Sequence, residues 1–460
     1  MLFNSYPFIF LFLPIVFAGY HLSSRYCSQQ VARLFLLLSS LGFYGFWDYR
    51  FVPLLLLSIC ANYLFGIQIL RSSTTSRKAW LAAGITLNLA ALFYFKYALF
   101  AMSIAETVLG WSIELPAGEL PLGISFFTFT QIAFLVDAYS DKVASLTPSS
   151  YGLFVTVFPH LIAGPILHHK AMMSQFEEKE TYRFLPENIA KGLALFIMGL
   201  GKKVLIADTI APWFARIFDQ PQLYPNLFDA WGAILGYTLQ LYYDFSGYSD
   251  MAIGLGLLFN LQLPINFNSP YKAQSISDFW RRWHISLSRF LRDYLYIPLG
   301  GSRSGKMATL VNLFLTMLLG GIWHGAGWTF VIWGALQGAY LVINHICRNY
   351  VQLPSAIAWP LTLLAVMVGW VVFRAPDMGK AGEIYAGMVG LNGLGRLSVL
   401  SGGQFATLLI LLAATLTLPN SNELLEKFQP KKRYAVCLGA LMAVCVLFFD
   451  RISEFLYYQF

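Results

Sequence analysis

Gly320-Gly321-Ile322-Trp323-His324-Gly325-Ala326-Gly327-Trp328 sets a histidine among glycines and tryptophans at the end of an apolar run. An ionisable side chain is costly in hydrocarbon, and one kept there is a functional candidate by default. The glycines leave room beside the imidazole for another helix or for a substrate. The run leading into it is one of about thirteen apolar stretches, and a bilayer crossing takes roughly 20 residues. They lie near 6–22, 31–48, 51–70, 79–103, 121–139, 150–167, 188–211, 228–243, 306–323, 326–347, 356–373, 402–418 and 434–449, some of them as re-entrant or buried pieces.

Composition agrees with that reading. Of 460 residues, 57% are hydrophobic and 12% charged, and mean hydropathy is +0.59. Soluble chains carry about 25% charged residues. The chain therefore reads as an all-α, polytopic integral membrane protein. It forms one membrane body over 1–460: N-terminal helices at 1–103, a catalytic core at 120–347, and C-terminal helices with an outward tail at 356–460. Met1 to Pro7 holds no positive charge, so the first apolar run reads as an uncleaved span and not a secretory signal.

The net charge of +8 is distributed as a topology signal. No Lys or Arg occurs between Tyr97 and Asp141, where Glu106, Glu114 and Glu119 lie. Arg25, Arg33, Arg71, Arg77 and Lys78 flank earlier spans, and Lys427, Lys431, Lys432 and Arg433 precede the last one. The positive-inside rule puts these basic loops in the cytoplasm, and both termini outside. Cations spread this way form no single basic patch, so nucleic-acid binding is a poor reading. The five cysteines show no C-x-x-C spacing, which points to neither a disulfide framework nor a zinc site.

The middle third brings Gly, Pro, Ser, His and Asp to membrane depth, in Phe158-Pro159-His160-Leu161-Ile162-Ala163-Gly164-Pro165 and in Tyr243-Asp244-Phe245-Ser246-Gly247-Tyr248-Ser249-Asp250. Irregular or polar backbone persists in a bilayer only where protein or a water-filled cavity surrounds it. A central cavity built by residues 120–330 is expected. Residues 277–296 are too charged to span. Their spacing predicts one amphipathic helix with Trp280, Trp283, Leu287, Phe290, Leu291 and Tyr294 on one side, and His284 at the edge of that face.

His324 reads either as a general base or as a structural imidazole between packed helices; its glycine and tryptophan setting, with a second inward histidine, favours the base. A neutral imidazole is readily kept in a low-dielectric site, and general-base catalysis is worth roughly 10²–10⁴ in rate. His284, beside two tryptophans, is equally at home as an interfacial anchor. His168 and His169 sit at a membrane edge, with no carboxylate or thiol at helical spacing beside them, so a loop role is favoured over a metal site. Lys202, Lys203 and Asp208 fall in an apolar segment, where an ion pair between helices is the plain reading. The arginines of 281–292 read as structural or lipid-facing, though a guanidinium also suits a phosphate-bearing donor. The soluble-type acyltransferase signature H-x-x-x-x-D follows none of the seven histidines, and the absence of a G-x-S-x-G elbow argues against a serine hydrolase.

Together with Phe8–Pro14, Gly123–Phe129 and Leu161–His168, the stretches Tyr243–Asp250, Asp278-Phe279-Trp280-Arg281-Arg282-Trp283-His284 and Trp323-His324-Gly325 resemble the membrane-bound O-acyltransferase (MBOAT) family, in its alginate O-acetylase-like bacterial branch. The resemblance implies a multi-helix fold around a central funnel or tunnel, with His324 as the essential histidine and His284 as the second polar position. His168 and Asp208 fall in stretches that look like family motifs and are further candidates. The tail Phe455-Leu456-Tyr457-Tyr458-Gln459-Phe460 resembles an F-x-Y-x-x-F motif of acylation systems, which makes Tyr457 a candidate acyl carrier; an aromatic interfacial anchor is the alternative.

The reading is thus an inner-membrane O-acyltransferase that moves acetyl from cytoplasmic acetyl-CoA, a substrate and not a bound cofactor, toward an extracytoplasmic polysaccharide such as alginate, another exopolysaccharide or peptidoglycan. No metal is expected. A periplasmic or surface partner with an acetyltransferase or esterase fold would complete the transfer. The rivals are a lipid O-acyltransferase and a non-catalytic transporter or flippase.

Overall fold

The computed structural model describes residues 1–110, 118–143, 145–220, 222, 226–348, 350, 352–449 and 456. Every regular element among them is helical. A π-helical turn, Pro7–Phe12, runs into α1 (Leu13–Tyr26), followed by α2 (Gln29–Gly45), α3 (Val52–Arg71) and α4 (Thr74–Leu92). Next come α5 (Ala98–Leu109), α6 (Ile124–Tyr139), α7 (Pro148–Thr156), α8 (Phe158–Leu161), α9 (His169–Glu177) and α10 (Pro186–Gly201). A π-helical stretch, Lys202–Ala207, joins α10 to α11 (Asp208–Asp219), and α12 (Leu227–Leu258) follows. After it lie α13 (Ile276–Arg282), α14 (Ile285–Leu291), α15 (Lys306–His324), α16 (Trp328–Cys347) and α17 (Ser355–Arg374). The last are α18 (Met378–Met388), α19 (Gly402–Thr417), α20 (Ser421–Glu426) and α21 (Lys432–Leu447).

Among the described residues, six helical stretches are long and apolar enough to cross a membrane: Pro7–Tyr26, Tyr49–Arg71, Thr74–Leu109, Lys306–His324, Trp328–Cys347 and Ser355–Arg374. This is a multi-pass membrane protein. Other apolar runs are shorter or broken. The run 150–167 leaves helical geometry at Val157, between α7 and α8. Pro159 has no amide to donate back to Val155, so an unbroken helix is not available there.

The chain forms two compact units. The first comprises Met1–Ile197, Tyr248–Pro264 and Gln429–Leu438. Within it, polar groups buried among apolar helices find partners in one another, as desolvation demands. Asn62 and Asn88 exchange amide hydrogen bonds at 3.2 and 2.6 Å between α3 and α4. The Arg33 guanidinium on α2 donates to Ser150 Oγ at 2.6 Å and to Glu177 Oε1 at 2.7 Å, tying down α7 and the end of α9.

The second unit comprises Met198–Gly247, Ile265–Phe428 and Gly439–Phe460. Within it, α15 and α16 form a hairpin whose two helices touch backbone to backbone. A Cβ placed on Gly321 would lie 2.5 Å from the Gly334 Cα, and one on Gly338 would lie 2.9 Å from the Phe314 carbonyl oxygen. Small residues at membrane helix contacts allow this approach.

The amphipathic helix expected over 277–296 is not continuous. α13 ends at Arg282, Trp283 is extended, and α14 starts after His284, which holds a left-handed backbone (φ 43°, ψ 54°). A π-helical turn, Arg292–Tyr296, then closes the segment. The periodic face remains, but the kink turns His284 from its edge into the interior.

Candidate functional site

His324 is the last residue of α15, only 4% exposed. Trp333 stands edge-on to its ring at 5.1 Å, and Phe373 of α17 packs similarly at 5.3 Å. Trp323, its chain neighbour, lies at 5.0 Å. The reversal after it depends on Gly325, where a Cβ would strike the Phe330 ring at 2.2 Å. Gly321 thus serves the helix contact and Gly325 the turn, while the aromatic rings enclose the imidazole.

His284 is fully buried. Its Nδ1 lies 3.2 Å from Asn266 Oδ1, which also accepts the Ser286 amide at 3.1 Å and the Ser286 hydroxyl at 2.9 Å. Because an Asn oxygen only accepts, Nδ1 is the protonated nitrogen of a neutral ring here. The backbone is locked as well: the Asn268 amide donates to the Arg282 carbonyl and the Ile285 amide to the Asn266 carbonyl, each at 2.9 Å. Phe245 of α12 packs edge-on to the ring at 4.7 Å. Burial pushes the His284 pKa down to about 3, since desolvation penalises the charged form.

An aromatic chain joins the two histidine settings. Trp283, next to His284, packs on Trp370 at 5.2 Å; Trp370 stacks on Trp333 at 6.0 Å, and Trp333 meets His324. Trp280 extends the cluster, lying 6.0 Å from Trp333 and donating its Nε1–H to Gln337 Oε1 at 3.3 Å. Beside Trp280 lies a cavity of about 320 Å³, lined by exposed Arg292 and Arg348, by buried Leu291, Thr316 and Met317, and by half-buried Tyr296, Leu313 and His345.

The other candidates sit elsewhere. Asp208 belongs to a buried ionic triad: Lys203 Nζ lies 2.7 Å from Asp208 Oδ1 and 2.7 Å from Asp244 Oδ1 of α12. The ion pair read from the apolar segment is present and gains a third member. His168 is half-buried in the first unit, just before α9. Its neighbour His169 takes the carboxylate partner, with Nδ1 3.0 Å from Asp137 Oδ2 of α6. Tyr457 lies outside the described residues. No cluster with metal-ligating character occurs among the described residues.

Asn266, Gln337, Trp370 and Phe373 escaped the sequence reading. Asn266 had a signal in the irregular polar run Pro264-Ile265-Asn266-Phe267-Asn268-Ser269-Pro270. The others sit in spans where a tryptophan or glutamine has no periodic signature of function.

Residues 93–373 match the sequence model of the MBOAT, membrane-bound O-acyltransferase family. The peptidoglycan O-acetyltransferase of Helicobacter pylori is 39% identical, over 100% of this chain and 98% of that protein. The probable alginate O-acetylase AlgI of Pseudomonas aeruginosa is 42% identical over 89% of this chain and 80% of its own length. More distant is the teichoic acid D-alanyltransferase of Bacillus subtilis, 28% identical over 54% of this chain and 65% of that one. With a multi-pass helical body and a histidine held at a glycine-lined helix end, the chain belongs to the membrane-bound O-acyltransferase family.

Proposed function

We propose that this chain transfers acetyl from cytoplasmic acetyl-CoA, through His324 and the C-terminal Tyr457, toward hydroxyl groups of an extracytoplasmic polysaccharide. The observation that carries the reading is the enclosure of His324 by Trp333 and Phe373 at one end of α15, a helix that also lines a cavity bearing Arg292 and Arg348. Met317, on the cavity wall, precedes His324 by about 10 Å of helical rise at 1.5 Å per residue. Arg303, Lys306 and Arg348 cluster at the opposite end of the α15–α16 hairpin, the end that the positive-inside rule assigns to the cytoplasm. A donor whose phosphates meet Arg292 and Arg348 would point its acyl end past Trp280 toward His324.

In the proposed chemistry His324 accepts the Tyr457 hydroxyl proton while the phenolic oxygen attacks the thioester carbonyl. The carbon–sulfur bond breaks, and the departing thiolate recovers a proton from the imidazolium. A second transfer passes the acetyl from the tyrosyl ester to an acceptor hydroxyl, directly or through a partner with an esterase-like fold. His284 orients donor or acceptor from a position fixed by Asn266. The names of the Helicobacter and Pseudomonas relatives support a glycan such as peptidoglycan or alginate as acceptor.

The test is intact-mass analysis of the full chain given acetyl-CoA without acceptor. One acetyl on the C-terminal peptide is expected, absent in Tyr457→Phe and retained in Tyr458→Phe. Acceptor O-acetylation that continues unchanged in Tyr457→Phe would remove the carrier step and leave direct transfer from the donor.

A further inference from the structure

We propose that Asp244 is the seat of the C-terminal tail, a positioning residue that anchors the chain immediately before Tyr457. The Leu456 amide donates to Asp244 Oδ2 at 3.1 Å, a bond between residues 212 positions apart. The other oxygen of the same carboxylate faces Lys203 Nζ at 2.7 Å, and Lys203 is shared with Asp208 at the same distance. All three side chains are 2% exposed. This deepens the reading above, because it matters for transfer only if Tyr457 carries the acyl group.

The charges explain why the seat is an acid. Lys203 alone could be neutralised by one carboxylate, and Asp208 already does so. A second buried carboxylate is costly unless its oxygens find donors. Here one oxygen takes the shared ammonium and the other takes a backbone amide, and a hydrogen bond to an ionised acceptor is among the stronger kinds. The Leu456 amide therefore completes the solvation of Asp244, and Asp244 holds Leu456 beside α12. A backbone contact suits this task, since it fixes the chain without constraining the side chain of the next residue.

The two carboxylates provide a matched control. Asp244→Ala and Asp208→Ala each leave one lysine with one carboxylate, a neutral buried pair, so both variants are expected to fold. Only Asp244→Ala removes the amide acceptor. Hydrogen–deuterium exchange on the full-length protein, read in the peptide that contains Leu456, should be about tenfold faster in Asp244→Ala and unchanged in Asp208→Ala. Asp244→Asn, which keeps a neutral acceptor, should fall between them. Acetyl transfer should drop in Asp244→Ala through kcat, with KM for acetyl-CoA unaltered. Equal exchange in Asp244→Ala and wild type would overturn the seat, whatever Tyr457 does. Faster exchange in Asp244→Ala together with full activity of Tyr457→Phe would keep the seat and overturn the carrier step.

Discussion

Replacing Gly321 by alanine tests whether the α15–α16 contact positions His324. A Cβ at this glycine would lie 2.5 Å from Gly334 Cα, 2.6 Å from the Phe330 carbonyl oxygen and 2.7 Å from the Gly334 amide nitrogen. All three are backbone atoms, so no rotamer change relieves the clash. Restoring an ordinary contact near 3.5 Å requires the two helices to separate by about 1 Å, and overpacking of this kind costs about 1–3 kcal/mol. His324 lies one turn beyond, and a 1 Å misplacement of a catalytic group can lower a rate about 10²-fold. Two glycines serve as controls. At Gly320 a Cβ meets a flexible end, Leu291 Cδ1 at 3.2 Å, and at Gly439 it meets nothing within 4 Å. Thermal unfolding in detergent and acetyl transfer in proteoliposomes should rank Gly321→Ala far below Gly320→Ala, with Gly439→Ala near wild type. Wild-type stability and turnover in Gly321→Ala would refute the reasoning that this backbone contact sets the histidine.

Further outcomes follow from the cavity and from His284. Arg348→Met should raise KM for acetyl-CoA severalfold with little change in kcat, as expected for an arginine that binds the donor and not the transition state; a lowered kcat at unchanged KM in steady-state assays would speak against donor binding there. With its pKa depressed to about 3, against an ordinary value of 6.5, His284 binds fewer protons folded than unfolded. Its contribution to stability is therefore complete above pH 6.5 and is lost as pH falls toward 3, by about 1.4 kcal/mol per pH unit. Melting temperatures from pH 7 to pH 4 should fall less steeply in His284→Gln than in wild type, and parallel curves would count against this origin.

The membrane class and the family were legible because they rest on features local in sequence. Apolar runs, the placement of lysines and arginines, and Trp323-His324-Gly325 all survive without knowledge of tertiary contacts. What stayed hidden came from pairs far apart. Asp208 and Lys203 read as an ion pair, but Asp244 joins them from α12, and no spacing rule links it to the pair. The same holds for Asp137 and His169, brought together from α6 and α9. His284 shows a different limit. A helical wheel assumes unbroken rotation from residue to residue, and a single left-handed residue, uncommon outside glycine, defeats it without altering the hydrophobic pattern. The wheel found the apolar face of 277–296 and missed the kink that buries the histidine.

In the proposed function His324 performs acid–base chemistry on the acyl group. The most direct measurement is the rate at which labelled acetyl leaves acetyl-CoA in proteoliposomes, for wild type and for His324→Ala matched in amount and melting temperature. Loss of a general base predicts a fall of roughly 10²–10⁴-fold with donor binding intact. Turnover within a few fold of wild type would rule out the general base and return His324 to a structural role between packed helices.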